Sequence, residues 1–287
     1  MTIEQQRPVP PRTVRTRRIA FTYPSGSLDR HYVQGDLMMS HIVAMLSALF
    51  PEGEDFFIRA VRRYREELTD KELLSQVAGF IGQEVTHGRE HRALNDKLQE
   101  MGYPTRMADR FTNLLMIRSD RLFPHKFQLA VTAALEHYTA TIAERLLTSP
   151  EAQALLGETE VRSVLLWHAL EESEHKSVAF DVFRAAGGSE RLRINTMHLV
   201  NALFIPIVVG LTAISLAGDR AAYNPVRLLR SLRRLPRSPF LNRSMRQNIQ
   251  AYNKPGFHPD DMDATALLEK WKVELFGTEG TLADHLR

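Results

Sequence analysis

LWHALEESEHKSV, residues 166–178, has the spacing of a helix that presents metal-binding side chains along one face. Wound at 3.6 residues per turn, it places His168, Glu172 and His175 at i, i+4 and i+7. Three upstream segments supply matching groups. FIGQEVTHGREH (80–91) carries Glu84 and His87 at i and i+3, with His91 one turn further on. ALEHYTA (134–140) carries Glu136, and FPEGEDFF (50–57) carries Glu52 and Glu54. Two Glu-x-x-His pairs, plus one Glu from each of two other helices, form the ligand inventory of a carboxylate-bridged dinuclear site in a four-helix bundle. The competing reading is a polar core whose groups simply pair with one another.

Reading outward, the chain resolves into helices. Asp36 is placed to cap a helix over 37–50, which is expected to end or kink at Pro51. Pro51 then fits the first turn of a segment over 52–68, where a missing N–H matters little. In that segment Glu54 shares a stripe with Phe57, Ile58 and Val61, so Glu54 rather than Glu52 is the inward carboxylate. Thr69 is expected to cap a helix over 70–101 that Gly102 and Pro104 close. Its inward stripe is Val77, Phe80, Glu84, His87, His91 and Leu94. A shorter amphipathic piece covers 107–122. A helix over 125–147 follows, lining up Leu129, Thr132, Ala133, Glu136 and Ala140. Ser149-Pro150 begins a connector, and one helix over 158–186 carries the opening motif. No useful strand-like alternation is present, so the class is all-α. The expected organisation is a flexible N-terminal arm (1–29), a metal-binding four-helix bundle (30–188) and a C-terminal helical extension (189–287) with a final helix near 264–276.

Composition narrows the options. With 44% apolar and 25% charged residues in 287, the chain can bury a substantial core. It has no cysteine, which excludes disulfides, thiolate-bound zinc and cysteine-ligated iron–sulfur clusters, and fits a reducing cytoplasm. No secretory signal is visible, so a cytoplasmic location is expected. Arginines gather at Arg12, Arg15, Arg17 and Arg18, and again over 227–246. With few aromatics between them they read as solvated faces, and no nucleic-acid partner is expected. The apolar run 197–217 is long enough to cross a bilayer, but it contains His198, Asn201 and Pro206. It is expected to be a buried or oligomer-interface helix and makes a homodimer the expected assembly; peripheral membrane association through 197–246 is the alternative.

Mixed carboxylate and imidazole ligation suits iron or manganese and admits zinc. Four carboxylates against two divalent ions come close to neutral, which makes burial tolerable. His168 adds a third imidazole, so the candidate metal set is Glu54, Glu84, His87, Glu136, His168, Glu172 and His175. His91 and Asp181 are candidates for holding a ligand from behind. Glu90, Glu171 and Glu174 are expected to face elsewhere and His137 to be peripheral. Tyr32, Tyr138, Trp167 and Phe180 are expected to pack the core.

From His31 to Val182 the segments HYVQGD (31–36), FPEGEDFF, FIGQE-x-x-HGREH and LWHALEE-x-EHK-x-VAFDV resemble, in order, the family of predicted metal-dependent hydrolases. That resemblance implies a ferritin-like fold. The ligand pattern is also similar to that of di-iron arylamine N-oxygenases, which implies Glu54, Glu84, Glu136 and Glu172 as carboxylates and His87, His168 and His175 as imidazoles. The leading expectation is a non-haem dinuclear enzyme that activates O₂ to oxidise a small organic substrate. It would use two iron ions (iron–manganese, manganese or zinc as alternatives) and an electron donor. The alternative is a hydrolase acting through a metal-activated water. A second alternative is a non-catalytic metal-binding bundle.

Overall fold

The computed structural model describes residues 12–287. Among them no strand forms; a lone bridge joins Ile19 to Leu286. Asp36 caps the first helix as expected, its carboxylate accepting the Met39 amide, but α1 runs unbroken over Leu37–Arg62 with Pro51 inside it. Proline removes the amide that would have reached the Ser47 carbonyl. Asn95 of the second helix replaces it, donating from Nδ2 to the Ser47 carbonyl at 3.0 Å. The helix therefore does not end at Pro51.

α2 covers Lys71–Glu100 and is capped by Asp70 rather than Thr69, one carboxylate oxygen accepting the amides of Glu72 and Leu73. Gly102, at φ +92°, turns the chain out of it. α3 (Thr105–Leu122) leads to α4 (His125–Thr148). The connector after Ser149 contains a short helix, α5 (Pro150–Leu156). The single helix expected over 158–186 is two, α6 (Glu160–His175) and α7 (Val178–Ala185). The break follows His175 directly, where Lys176 turns inward to Glu144 of α4 at 2.7 Å. α8 (Glu190–Ala217), α9 (Pro225–Arg234), α10 (Arg243–Ala251) and α11 (Thr265–Phe276) complete the chain.

Two apolar clusters fix the helix directions. One contains Met45, Leu94, Leu98, Ala143, Trp167 and Leu170. The other contains Phe56, Val77, Phe80, Leu129, Ala133 and Val178. α1 and α6 start in the first cluster and end at the second, whereas α2 and α4 run the other way. α3 carries the chain back between the parallel pair α2 and α4. On all four helices the polar candidates fall between the clusters, so they share one layer at mid-bundle.

The arm expected over 1–29 lies partly outside the described residues, which begin at 12. Residues 12–29 lie against the bundle, with Ile19 and Phe21 buried in the first cluster. Gly79 and Gly82 of α2 make that approach feasible: a Cβ at Gly79 would sit 2.1 Å from the Val14 carbonyl oxygen. The C-terminal extension adds Trp271, Leu275 and Leu282 to the first cluster and Tyr252 and Phe257 to the second. The run over 197–217, expected to be buried or at an interface, packs one side of α8 on the bundle and leaves the other exposed.

Candidate metal centre

All seven predicted donors meet in the mid-bundle layer, each almost inaccessible to solvent. Glu54 comes from α1, Glu84 and His87 from α2, Glu136 from α4, and His168, Glu172 and His175 from α6. Ligand atoms of Glu54, Glu84 and His87 lie within 4.8 Å of one another, as do those of His87, His168 and Glu172, and those of Glu84, Glu172 and His175. Glu136 joins the last group, with Oε2 3.3 Å from His175 Nε2. Glu84 and Glu172 therefore recur on both sides of the layer. Glu172 Oε1 faces all three imidazoles, at 2.9 Å from His168, 3.6 Å from His87 and 3.6 Å from His175.

Each imidazole presents one nitrogen to this centre and ties the other behind it. His87 Nε2 bonds Glu171 Oε2 at 3.0 Å. His175 Nδ1 bonds Gln83 Oε1 at 2.8 Å. His168 Nδ1 bonds His91 Nε2 at 2.7 Å, and His91 Nδ1 in turn bonds the Ser47 hydroxyl at 2.9 Å. The first two arrangements are crosswise: the residue preceding the glutamate on each helix holds the histidine of the other. Arg17 closes the pair from outside. Its guanidinium donates to Glu171 at 2.8 Å and to Glu174 at 2.7 Å, and Gln83 Nε2 donates to the same Glu174 at 2.8 Å. Such partners fix ring orientation and tautomer in metal sites.

The electrostatics suit cations. Burial, reinforced by neighbouring carboxylates, pushes Glu54 and Glu84 well above the ordinary carboxylate range. Burial also pushes Glu136 up to about 7. Burial would raise Glu172 too, but His175 and His168 more than offset it and hold it well below. Burial would lower His175, yet Glu172, Glu136 and Glu84 carry it well above the ordinary value. His87 is pushed down by burial and then by His168. Both oxygens of Glu54, Glu84 and Glu136, one of Glu172, and one ring nitrogen each of His87 and His175 make no well-aligned hydrogen bond, although His175 Nε2 lies 3.1 Å from Glu84 Oε1 and 3.3 Å from Glu136 Oε2. Two divalent ions would satisfy these atoms and neutralise four carboxylates. The donor set fits metal.

A family model described as predicted metal-dependent hydrolase matches residues 15–263. The chain belongs to this family. No curated protein and no solved structure matches it. The matched span takes in every helix that supplies a donor, and also α8, α9 and α10 beyond the bundle. Metal dependence of this family and a buried metal-type donor cluster thus coincide in one chain.

Other expectations fare differently at the level of geometry. Glu52 turns away from the layer, bonded by Asn113. His91 bonds His168, and one of its ring nitrogens also lies within 4.8 Å of ligand atoms of both Glu54 and His168. Asp181 orients no candidate ligand; it bonds His258 at 2.8 Å and pins the C-terminal extension to α7. His137 is buried, but its Nε2 bonds the Asn248 carbonyl, away from the centre. Glu171 and Glu174 do face outward, yet the outward direction is where the histidine-orienting layer lies. The repeat that could have revealed this is one residue longer than Glu-x-x-His: Gln83-Glu84-x-x-His87 matches Glu171-Glu172-x-x-His175. A second cluster, His31, His41 and Asp219, also has metal-type spacing. Its polar atoms are already paired: both imidazoles and Arg30 share Asp219, His41 bonds Ser215, and Arg227 bonds His31. It joins α1 to the end of α8 as a structural network.

Proposed function

We propose that the chain is a dinuclear metal-dependent hydrolase in a ferritin-like bundle. Glu54, Glu84, His87, Glu136, His168, Glu172 and His175 would hold two divalent ions, Glu84 and Glu172 being the carboxylates within reach of donors on both sides of the layer. The observation that carries this reading is the crowding of buried donor atoms at mid-bundle, most of them without a well-aligned hydrogen bond, since a merely structural polar core pairs its groups. The helix directions support the ferritin-like part: a single crossover, α3, joins two parallel helices. Bound ions would supply Lewis acidity and a water acidified toward neutral pH. The chain's own residues hold the ions, and Glu171, Gln83 and His91 fix the imidazoles. Phe50 and Phe80, with ring centroids 5.0 Å from His168 and 4.9 Å from His175, shield the layer from bulk water.

The family description favours hydrolysis over the oxidative alternative. A second reading, O₂-dependent oxidation by a di-iron pair, draws on the donor set itself: four carboxylates and three imidazoles suit iron or manganese. That reading requires an electron donor; hydrolysis does not. The two separate cleanly when the apoprotein is loaded with zinc or iron and assayed without O₂ against ester, amide and phosphate panels. Hydrolytic turnover by the zinc form without O₂ is the expected result. Substrate-dependent O₂ consumption by the reduced iron form, with no anaerobic turnover by either, would replace hydrolysis with oxidation.

A further inference from the structure

The C-terminal third contains two neighbouring features that the metal centre does not use. α8 has no Asp, Glu, Lys or Arg between residues 194 and 218. One side of it, with Thr196, Met197, Val200, Leu211, Thr212 and Ser215 buried, packs on α1 and α4. The opposite side is open and apolar: Leu203 is 51% exposed, Ile205 54%, Val209 62% and Ile214 56%. An uncharged face of this length is unusual on the surface of a soluble protein and marks a contact site. Because its other side is committed to the bundle along most of its length, α8 can lie against an apolar phase but cannot be surrounded by one.

Charge follows directly. Residues 220–259 contain eight arginines and one lysine and no acidic residue. α9 exposes Val226, Leu229 and Leu232 beside Arg230 and Arg233. Neither of those arginines has an acidic partner among the described residues, whereas Arg227 and Arg234 are turned toward His31 and Asp36. Arg227, Arg230 and Arg234 also line an open cavity of about 630 Å³ between α9 and the start of α1. α9 is fixed to the bundle: the amide of Met38 donates to the Ser231 hydroxyl at 2.8 Å. Apolar side chains beside unpaired arginines match a lipid interface, where hydrocarbon takes the former and anionic headgroups the latter. A second copy supplies no such complement, because a two-fold pairing of this face would set arginine against arginine.

We propose that α8 and α9 form a docking surface for an anionic lipid bilayer, with the exposed side of α8 seated at the interface and the α9 arginines on acidic headgroups. Sedimentation of the full-length, metal-loaded protein with vesicles of phosphatidylcholine, with and without phosphatidylserine, tests this. Binding to the serine-containing vesicles is expected, weakened by salt. Arg230→Gln and Arg233→Gln should each reduce partitioning about fivefold, and Val209→Asp should abolish it, all with unchanged metal content. Failure to sediment with either vesicle overturns the proposal. So does equal binding to both, or a dimer by light scattering that Val209→Asp dissociates, which would make the face a self-interface. Retained metal in these variants keeps the outcome separate from the reading of the metal centre.

Discussion

Glu84 and Glu172 are distinguished from the other carboxylates by position, since each lies within reach of donors on both sides of the layer. Glu84→Ala or Glu172→Ala is therefore expected to lose both ions, whereas Glu136→Ala loses one; metal content per chain after gel filtration decides this. Behind the centre, Glu171 acts on His87 through a single hydrogen bond. Glu171→Leu should weaken metal affinity by about 10- to 100-fold, while Glu171→Gln keeps an acceptor and most of the affinity. A chelator competition titration in which Leu and Gln variants match the parent would remove Glu171 from the orienting role. The grouping of Glu84 with His87, and of His168 with Glu172 and His175, was legible because residues three and four apart on a helix share a face. Glu171 was not, because its partner sits on another helix 84 positions away in sequence.

Helix α2 shows how an element is shaped by what lies on it. Replacing a mid-helix glycine with alanine ordinarily stabilises a helix by about 1 kcal/mol. At Gly79 the sign reverses, because the added Cβ would meet the Val14 backbone at 2.1 Å. Gly79→Ala is expected to lower the urea midpoint and to loosen residues 14–17, and with them the Arg17 clasp on Glu171 and Glu174. A midpoint that rises instead would show that residues 12–29 contribute little to stability. α1 makes a related point. Its sequence alone argues for an end or kink at Pro51; the helix continues through it, and Asn95 takes the carbonyl that the proline leaves free.

At the scale of the molecule, the buried carboxylates make the metal-free fold pH-sensitive. Glu54 and Glu84 are raised well above 4.5, and Glu136 and Glu171 to about 7, so the folded state holds protons that the unfolded chain releases. Their effect is to lower stability as pH rises from the unfolded values through the folded ones. His175, raised above 6.5, acts in the same direction above that pH. His87, His91 and His137 are lowered, so they favour folding increasingly up to about pH 6.5 and add nothing further above it. The thermal midpoint of chelated protein should therefore fall between about pH 6.5 and 8, and the rise on adding metal should grow over the same interval. A metal-free midpoint that is flat or rising there would mean the carboxylates are compensated in some other way.

By itself the sequence determined the all-α class and which Glu and His side chains share a face of their own helix. These follow from covalent geometry repeated every 3.6 residues, which needs no knowledge of neighbours. Only the tertiary structure decided which histidine each outer residue holds, and that Arg17 joins Glu171 to Glu174. The same is true of the helix break after His175, of Asp181 bonding His258, and of the side of α8 left open. Those depend on how segments far apart in the chain are set against one another, and periodicity within a single helix carries no record of that placement.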